Sequence, residues 1–263
     1  MRPVLVSLLW LLWSLTCIAR EPGRILVATA VWPPNFTVET GLGIYQQVLK
    51  QVYADYKVEF LFTTYARSKH LVREGKADLW LASYLAEEAW ALYPVYPFDA
   101  DLICVVRLPH SAWQGAQSLK HERVAWIAEY SFNQYLPELD MQAYEVPDLQ
   151  VALRMLQAGR IGYVLDDWWN IQDHLGQHPA MQSELVLAPL ALLRLYPGFQ
   201  PTLQGRLLAE HWDVRLASMM DDGSLRAIFS SAGEPFLLER CPSGRQDDKQ
   251  GPLCFVSDLQ PAR

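Results

Sequence analysis

Residues 73–82 read REGKADLWLA, and residues 157–165 read QAGRIGYVL. Each follows an apolar run with helical spacing. Each then sets a glycine beside a basic residue, Gly75 before Lys76 and Gly159 before Arg160, and turns into a short apolar stretch. A helix stopped by glycine and followed at once by a strand is half of a βαβ unit. Its appearance twice predicts two α/β lobes in one chain.

The flanking sequence supports that division. Arg24 to Ala30 is a β-branched apolar run ended by Pro33-Pro34. Ile44, Val48, Val52 and Tyr56 recur every four residues, which predicts a helix over 43–56. A strand over 57–62, a helix over 65–74 stopped by Gly75, and a strand over 78–82 follow. This β-α-β-α-β order implies a parallel sheet with helices on its faces. After a strand at 101–108 the pattern restarts. A strand over 123–128 leads to a short helix with Ser131 as its N-cap. A strand over 142–146 leads to a helix opened by Pro147 and Asp148, with Val151, Met155 and Ala158 on one face. A strand over 161–165 leads to a helix started by Asp167. One or two strands around Pro189 are expected over 185–195, then helices at 203–220 and 224–229.

Crossings near 101–108 and 188–196 would link the lobes. The first lobe would comprise 20–106 and 196–240, the second 107–195, with a tail at 241–263. A ligand belongs in the interlobe cleft, at the carboxyl ends of the parallel strands. A single doubly wound sheet is the simpler alternative.

Composition narrows the class of protein. Of 263 residues, 51% are hydrophobic and 12% aromatic, which excludes a disordered chain. A net charge of −7 without a basic run argues against a nucleic-acid groove. The opening MRPVLVSLLWLLWSLTCIA has a basic start, an apolar stretch and small residues at 17 and 19. It reads as a signal peptide cleaved after Ala19, which removes Arg2 and makes the charge −8. In an oxidising compartment Cys241 and Cys254, which bracket a polar Gly- and Pro-rich loop, are expected to form a disulfide, with Cys104 a buried thiol. There is no CxxC, GxSxG, P-loop or HExxH. His174 and His178 are four apart, but Gly176 and Pro179 end their helix, so no metal is assigned to them.

Five stretches in order resemble family 3 of the bacterial extracellular solute-binding proteins: VATAVWPPNF, GLGIYQQVLKQV, LVREGKADLWLASYLAEEAWALYPVYPF, RVAWIAEYSF and VALRMLQAGRIGYVLDD. The likeness spans about 24 to 230 and lies in order and spacing. It implies two α/β lobes, each a mostly parallel sheet flanked by helices, joined by two crossover strands and closing on a small solute. It also implies a periplasmic monomer without cofactor or catalysis, serving a membrane transporter permease or a sensor.

Carried over position by position, the resemblance places Trp32 where the family stacks an aromatic on the ligand. Ser83 and Tyr84 fall at a turn that meets a ligand carboxylate. Tyr130 and Ser131 fall at a helix start that favours an anion. Asp167, with Asp166 as neighbour, falls where an ammonium group is held, although Asp167 can equally cap its helix. Two positions depart from the pattern. Trp90 stands where amino-acid binders carry a carboxylate-gripping Arg, and Gly162 replaces an Asp. Arg67 is the candidate replacement cation. Of the other tryptophans near the cleft (Trp80, Trp90, Trp168 and Trp169), Trp168 is the next candidate for stacking. An enzyme of the prephenate-dehydratase kind is the alternative, with Glu87, Glu88 or Glu129 as acid, but it would need more cleft cations than this chain offers.

Overall fold

The computed structural model describes residues 23–32, 34–241 and 253–255. The expected signal peptide lies outside them. The strands are β1 (Arg24–Thr29), β2 (Lys57–Phe62), β3 (Leu79–Tyr84), β4 (Asp99–Arg107), β5 (Arg123–Ile127), β6 (Gln142–Val146), β7 (Tyr163–Asp167), β8 (Val186–Phe199) and β9 (Leu253–Phe255). The helices are α1 (Ile44–Val52), α2 (Tyr65–Arg73), α3 (Leu149–Gln157), α4 (Trp168–Gln177), α5 (Pro179–Gln182), α6 (Leu203–Asp221) and α7 (Ser224–Ser231). No helix among the described residues is long and apolar enough to cross a membrane.

The sheet order is β2-β1-β3-β8-β4-β7-β5-β6. β2-β1-β3 and β6-β5-β7 are parallel triplets with the same internal order. Between them run β4 and β8, antiparallel to each other and to the triplet strands they meet. The fold is therefore two-lobed, with the expected pair of crossing strands, although hydrogen bonding is continuous from one lobe to the other. α6 and α7 come back to pack on α1, as the pattern implied.

The repeated glycine has the same physical role in both lobes. α2 ends with Gly75 at φ +72°, and α3 with Gly159 at φ +65°. The amide of Gly75 donates to Val72 and that of Lys76 to Leu71, at 3.0 and 2.8 Å. Gly159 and Arg160 donate likewise to Leu156 and Met155, at 3.0 and 2.9 Å. Both are Schellman caps, in which left-handed backbone without a Cβ penalty turns the chain into the next strand.

Of the one or two strands expected around Pro189 the structure has one, β8, of 14 residues, whose register shift falls opposite Ile103 and Cys104; two other local expectations are corrected. A proline is tolerated where the ladder is already irregular. The buried stripe of α3 is Leu149, Ala152, Leu153 and Leu156, one step round from Val151, Met155 and Ala158. Ser131 heads only a three-residue 3₁₀ turn and makes no cap hydrogen bond. Its φ of 48° is left-handed, whereas a capping hydroxyl reaches the helix amides from extended backbone.

The Cys241–Cys254 disulfide is present, and β9 adds antiparallel to β8 beside it. Cys104 is a buried free thiol.

Gly159 has open space around the position of a Cβ, so backbone strain alone opposes substitution there. Gly159→Ala is expected to lower unfolding free energy by about 1–2 kcal/mol, and Gly159→Asn by less, in denaturant titrations.

Candidate functional site

A cavity of about 250 Å³ lies between the lobes. The carboxyl ends of β1, β3, β5 and β7 all open toward it, bringing Trp32, Tyr84, Tyr130 and Asp167 to its wall. α1 and α2 add Tyr45 and Tyr65, and α4 adds Trp169, Asn170 and Asp173. Asp99 and Asp101, alternate residues at the head of β4, form the floor. The lobes touch around it: the Phe36 and Trp169 rings are 5.9 Å apart, and Tyr135 donates to the Leu85 carbonyl at 3.3 Å.

The aromatic wall is held by its own contacts. Trp32 meets Tyr45 and Tyr65 edge-on at 6.3 and 6.1 Å. Its amide is pinned to the Thr37 hydroxyl at 2.9 Å. Tyr45 donates to Asp99 at 2.8 Å and Tyr84 to Asp101 at 2.9 Å. Asp167 caps α4, accepting from the amides of Trp169 and Asn170 at 2.9 and 3.1 Å. It thus both caps a helix and faces the cavity, and no choice between the two is needed.

The electrostatics are one-sided. Among the described residues no Lys, Arg or His lines the cavity. Burial pushes the Asp99 carboxyl up to about 7, against hydrogen bonds from the Ala100 amide and Tyr45. Burial also raises Asp101, and the neighbouring charges of Asp167 and Asp99 add to it. Asp166 and Asp167 are raised chiefly by burial as well. Tyr45, Tyr84 and Tyr130 stay protonated, because burial and adjacent carboxylates oppose their ionisation.

A second cleft opens beside the first, around Lys69. Its ammonium reaches Glu87 at 3.2 Å, Glu88 at 3.1 Å and Glu129, from the other lobe, at 3.0 Å. Burial alone would depress this lysine; Glu87 and the hydrogen bonds of Glu129 and Glu88 outweigh it, so it stays charged. Glu87 also accepts from the Ser83 hydroxyl at 2.7 Å, the Tyr84 amide at 3.2 Å and the Tyr65 hydroxyl. Trp90 packs at a tilt of 36° against Trp80 with ring centroids 5.5 Å apart, donates to Glu88 at 2.7 Å and has the Arg73 guanidinium at 6.0 Å. Ala82, Ala86, Glu129 and Ser131 all adopt positive φ around these clefts, a concentration of backbone strain typical of functional sites.

The sequence-derived candidates therefore divide. Trp32, Tyr84, Tyr130 and Asp167 meet in the main cavity. Ser83 is turned toward Glu87, Ser131 borders the second cleft, and Arg67 is exposed on α2 and lines neither. Among the paired tryptophans it is Trp169 that faces the cavity, while Trp168 packs against the core under α3. Tyr45, Tyr65, Asp99 and Asp101 escaped the sequence reading. The last two had a signal, since acidic residues at alternate positions at the head of an apolar strand share one face. His174 and His178 stack at 4.4 Å, and no three metal-ligating side chains converge among the described residues.

No protein-family model matches the chain, and no curated relative does. Solved structures do. The ligand-binding core of GluR0 from Nostoc punctiforme, in complex with L-glutamate, aligns at TM-score 0.59 and 15% identity over 80% of this chain and 100% of its own. A histidine kinase sensor domain similar to periplasmic binding proteins aligns at 0.62 and 18% over 79% and 95%. An ancestral arginine-binding protein bound to glutamine aligns at 0.57 and 16% over 80% and 97%. The fold is the two-lobed one of periplasmic binding proteins.

Two consequences can be measured. Asp99 holds its proton to about pH 7 in the fold but only to about pH 4 when unfolded, so its contribution is full below about pH 4 and lost as pH rises through about 7. The groups facing it (Tyr45, Asp101 and Glu234) do not reverse that sign. The solute-free protein should therefore melt lower at pH 8 than at pH 5. Asp99→Asn should recover stability at pH 8, on the order of 2–4 kcal/mol; an unchanged pH slope would contradict the burial argument. Lys69→Met strands the Glu87 carboxylate, whose side chain is 2% exposed, and should cost about 3–5 kcal/mol, with Glu87→Gln in the same chain restoring part.

Proposed function

We propose that this chain is an exported solute-binding protein of the family 3 type. It captures a small polar solute between its lobes and presents the closed form to a membrane partner, a transporter permease or a sensor. The observation that carries this reading is the cavity at the carboxyl ends of four strands, two from each parallel triplet, walled by side chains from both lobes. A solute held there touches both halves at once, so the closed arrangement gains contacts that an open one lacks. The lobe boundaries fall near residues 107 and 196, where the chain crosses.

Within the cavity Trp32 stacks on the solute, Tyr84 and Tyr130 shape its space, and Asp167 pairs with a cationic group. Ser131 borders the neighbouring cleft, and Arg67 stands in solvent away from the solute. The work is binding without chemistry. Support comes from the solved structures that share the fold, which are a ligand-binding core, a sensor domain and an arginine-binding protein. Export follows from the leader-like first nineteen residues, and the Cys241–Cys254 disulfide suits an oxidising compartment.

Calorimetric titration with amino acids, amines and small organic acids is expected to find at least one class that binds. Trp32→Ala should then weaken it by about tenfold, the worth of one stacked cation. Silence across the whole panel, or a Kd indifferent to Trp32→Ala and Asp167→Ala together, would dismiss the reading.

A further inference from the structure

We infer that the solute is an organic amine or guanidine that carries no carboxylate. This rests on the reading of the interlobe cavity as the solute site, and it names the class of solute.

The inference begins with what the cavity lacks. Asp99, Asp101 and Asp167 face it, and every ionic neighbour that acts on them is another acid. Asp99 is 3% exposed, so its charge is not dispersed into water. A carboxylate buried in this way either keeps a proton or waits for a cation. A metal ion does not suit the space, because no three ligating side chains converge among the described residues. An organic cation does, because the surrounding walls are aromatic faces, and the rings of Trp32 and Trp169 offer π surface to a positive charge. The aromatic enclosure is independent of the acidic floor, and both favour the same kind of guest.

The cation that could have held a solute's carboxylate is already engaged. Lys69 is spent on Glu87, Glu88 and Glu129. The Ser83 hydroxyl and Tyr84 amide, the donors at the end of β3, point at the Glu87 carboxylate. The protein's own side chain thus fills an anion-binding position beside the cavity. A solute carboxylate would enter among Asp99, Asp101 and Asp167 with no donor cation and at the cost of like-charge repulsion. Asp99 and Asp101, two apart on one strand, stand about 7 Å from each other along β4, so an extended molecule with two cationic ends can meet both.

Paired titrations test this. Agmatine, cadaverine and putrescine are each measured against the amino acid that differs by one carboxylate: arginine, lysine and ornithine. At least one amine is expected to bind about tenfold or more tightly than its parent. Asp101→Asn should cut amine affinity by a similar factor. This variant removes a carboxylate whose ionisation the fold already disfavours, so its melting temperature should not fall, and that is measured alongside. Equal or tighter binding of the parent amino acids would overturn the inference while leaving a solute-binding cleft intact. Binding of neither series, together with silence in the wider panel, would overturn both. Amine affinity unmoved by Asp101→Asn would overturn the placement of the cation on the β4 carboxylates.

Discussion

The antiparallel ladder between β4 and β8 is the constraint on which the rest of the molecule depends. It runs from Asp99 opposite Leu195 to Arg107 opposite Val186. Through it the parallel triplet of one lobe is hydrogen-bonded to that of the other. The strand ends of both triplets consequently face a shared space, and the first residues of β4 become its floor. Antiparallel crossing strands can bend at an irregularity without losing their pairing, and the shift at Ile103–Cys104 is such a point.

Charge is then distributed between two adjoining compartments. The cleft around Lys69 contains a cation: one buried ammonium serves three glutamates, two from the first lobe and one from the second. That set ties the lobes together at their edge. The main cavity is lined by carboxylates lifted by burial and held by tyrosine hydroxyls and backbone amides. Such an arrangement is costly in the empty protein and is relieved by a cation, so the same desolvation that weakens the solute-free state strengthens its attraction for a positively charged guest.

Trp90 stands where the resemblance expects an arginine that could grip a carboxylate in two places; here the indole packs on Trp80 and hydrogen-bonds Glu88. Glu87 is the partner of Ser83 and Lys69. The resemblance set Ser83 and Ser131 around a solute anion, with Arg67 as the candidate replacement cation. Three-dimensional placement leaves them around a protein carboxylate, at a rim and in solvent.

The sequence by itself determined the alternation of strands and helices, the two left-handed glycine caps, the disulfide and the pair of crossings. Each of these rests on neighbours in the chain: a hydrophobic period, a glycine at positive φ, a cysteine loop of short span. Trp32, Tyr84, Tyr130 and Asp167, which the resemblance singled out, do line the cavity, each at or just past the end of a strand. Only the tertiary structure decided that Tyr45, Tyr65, Asp99 and Asp101 join them, that Trp169 and not Trp168 faces inward, and that Lys69 is consumed by acids from both lobes. Those outcomes depend on which faces of distant elements meet, and on how much water the meeting removes. A one-residue rotation on a helix, or a carboxylate's loss of solvent, leaves no trace in the spacing of residues along the chain.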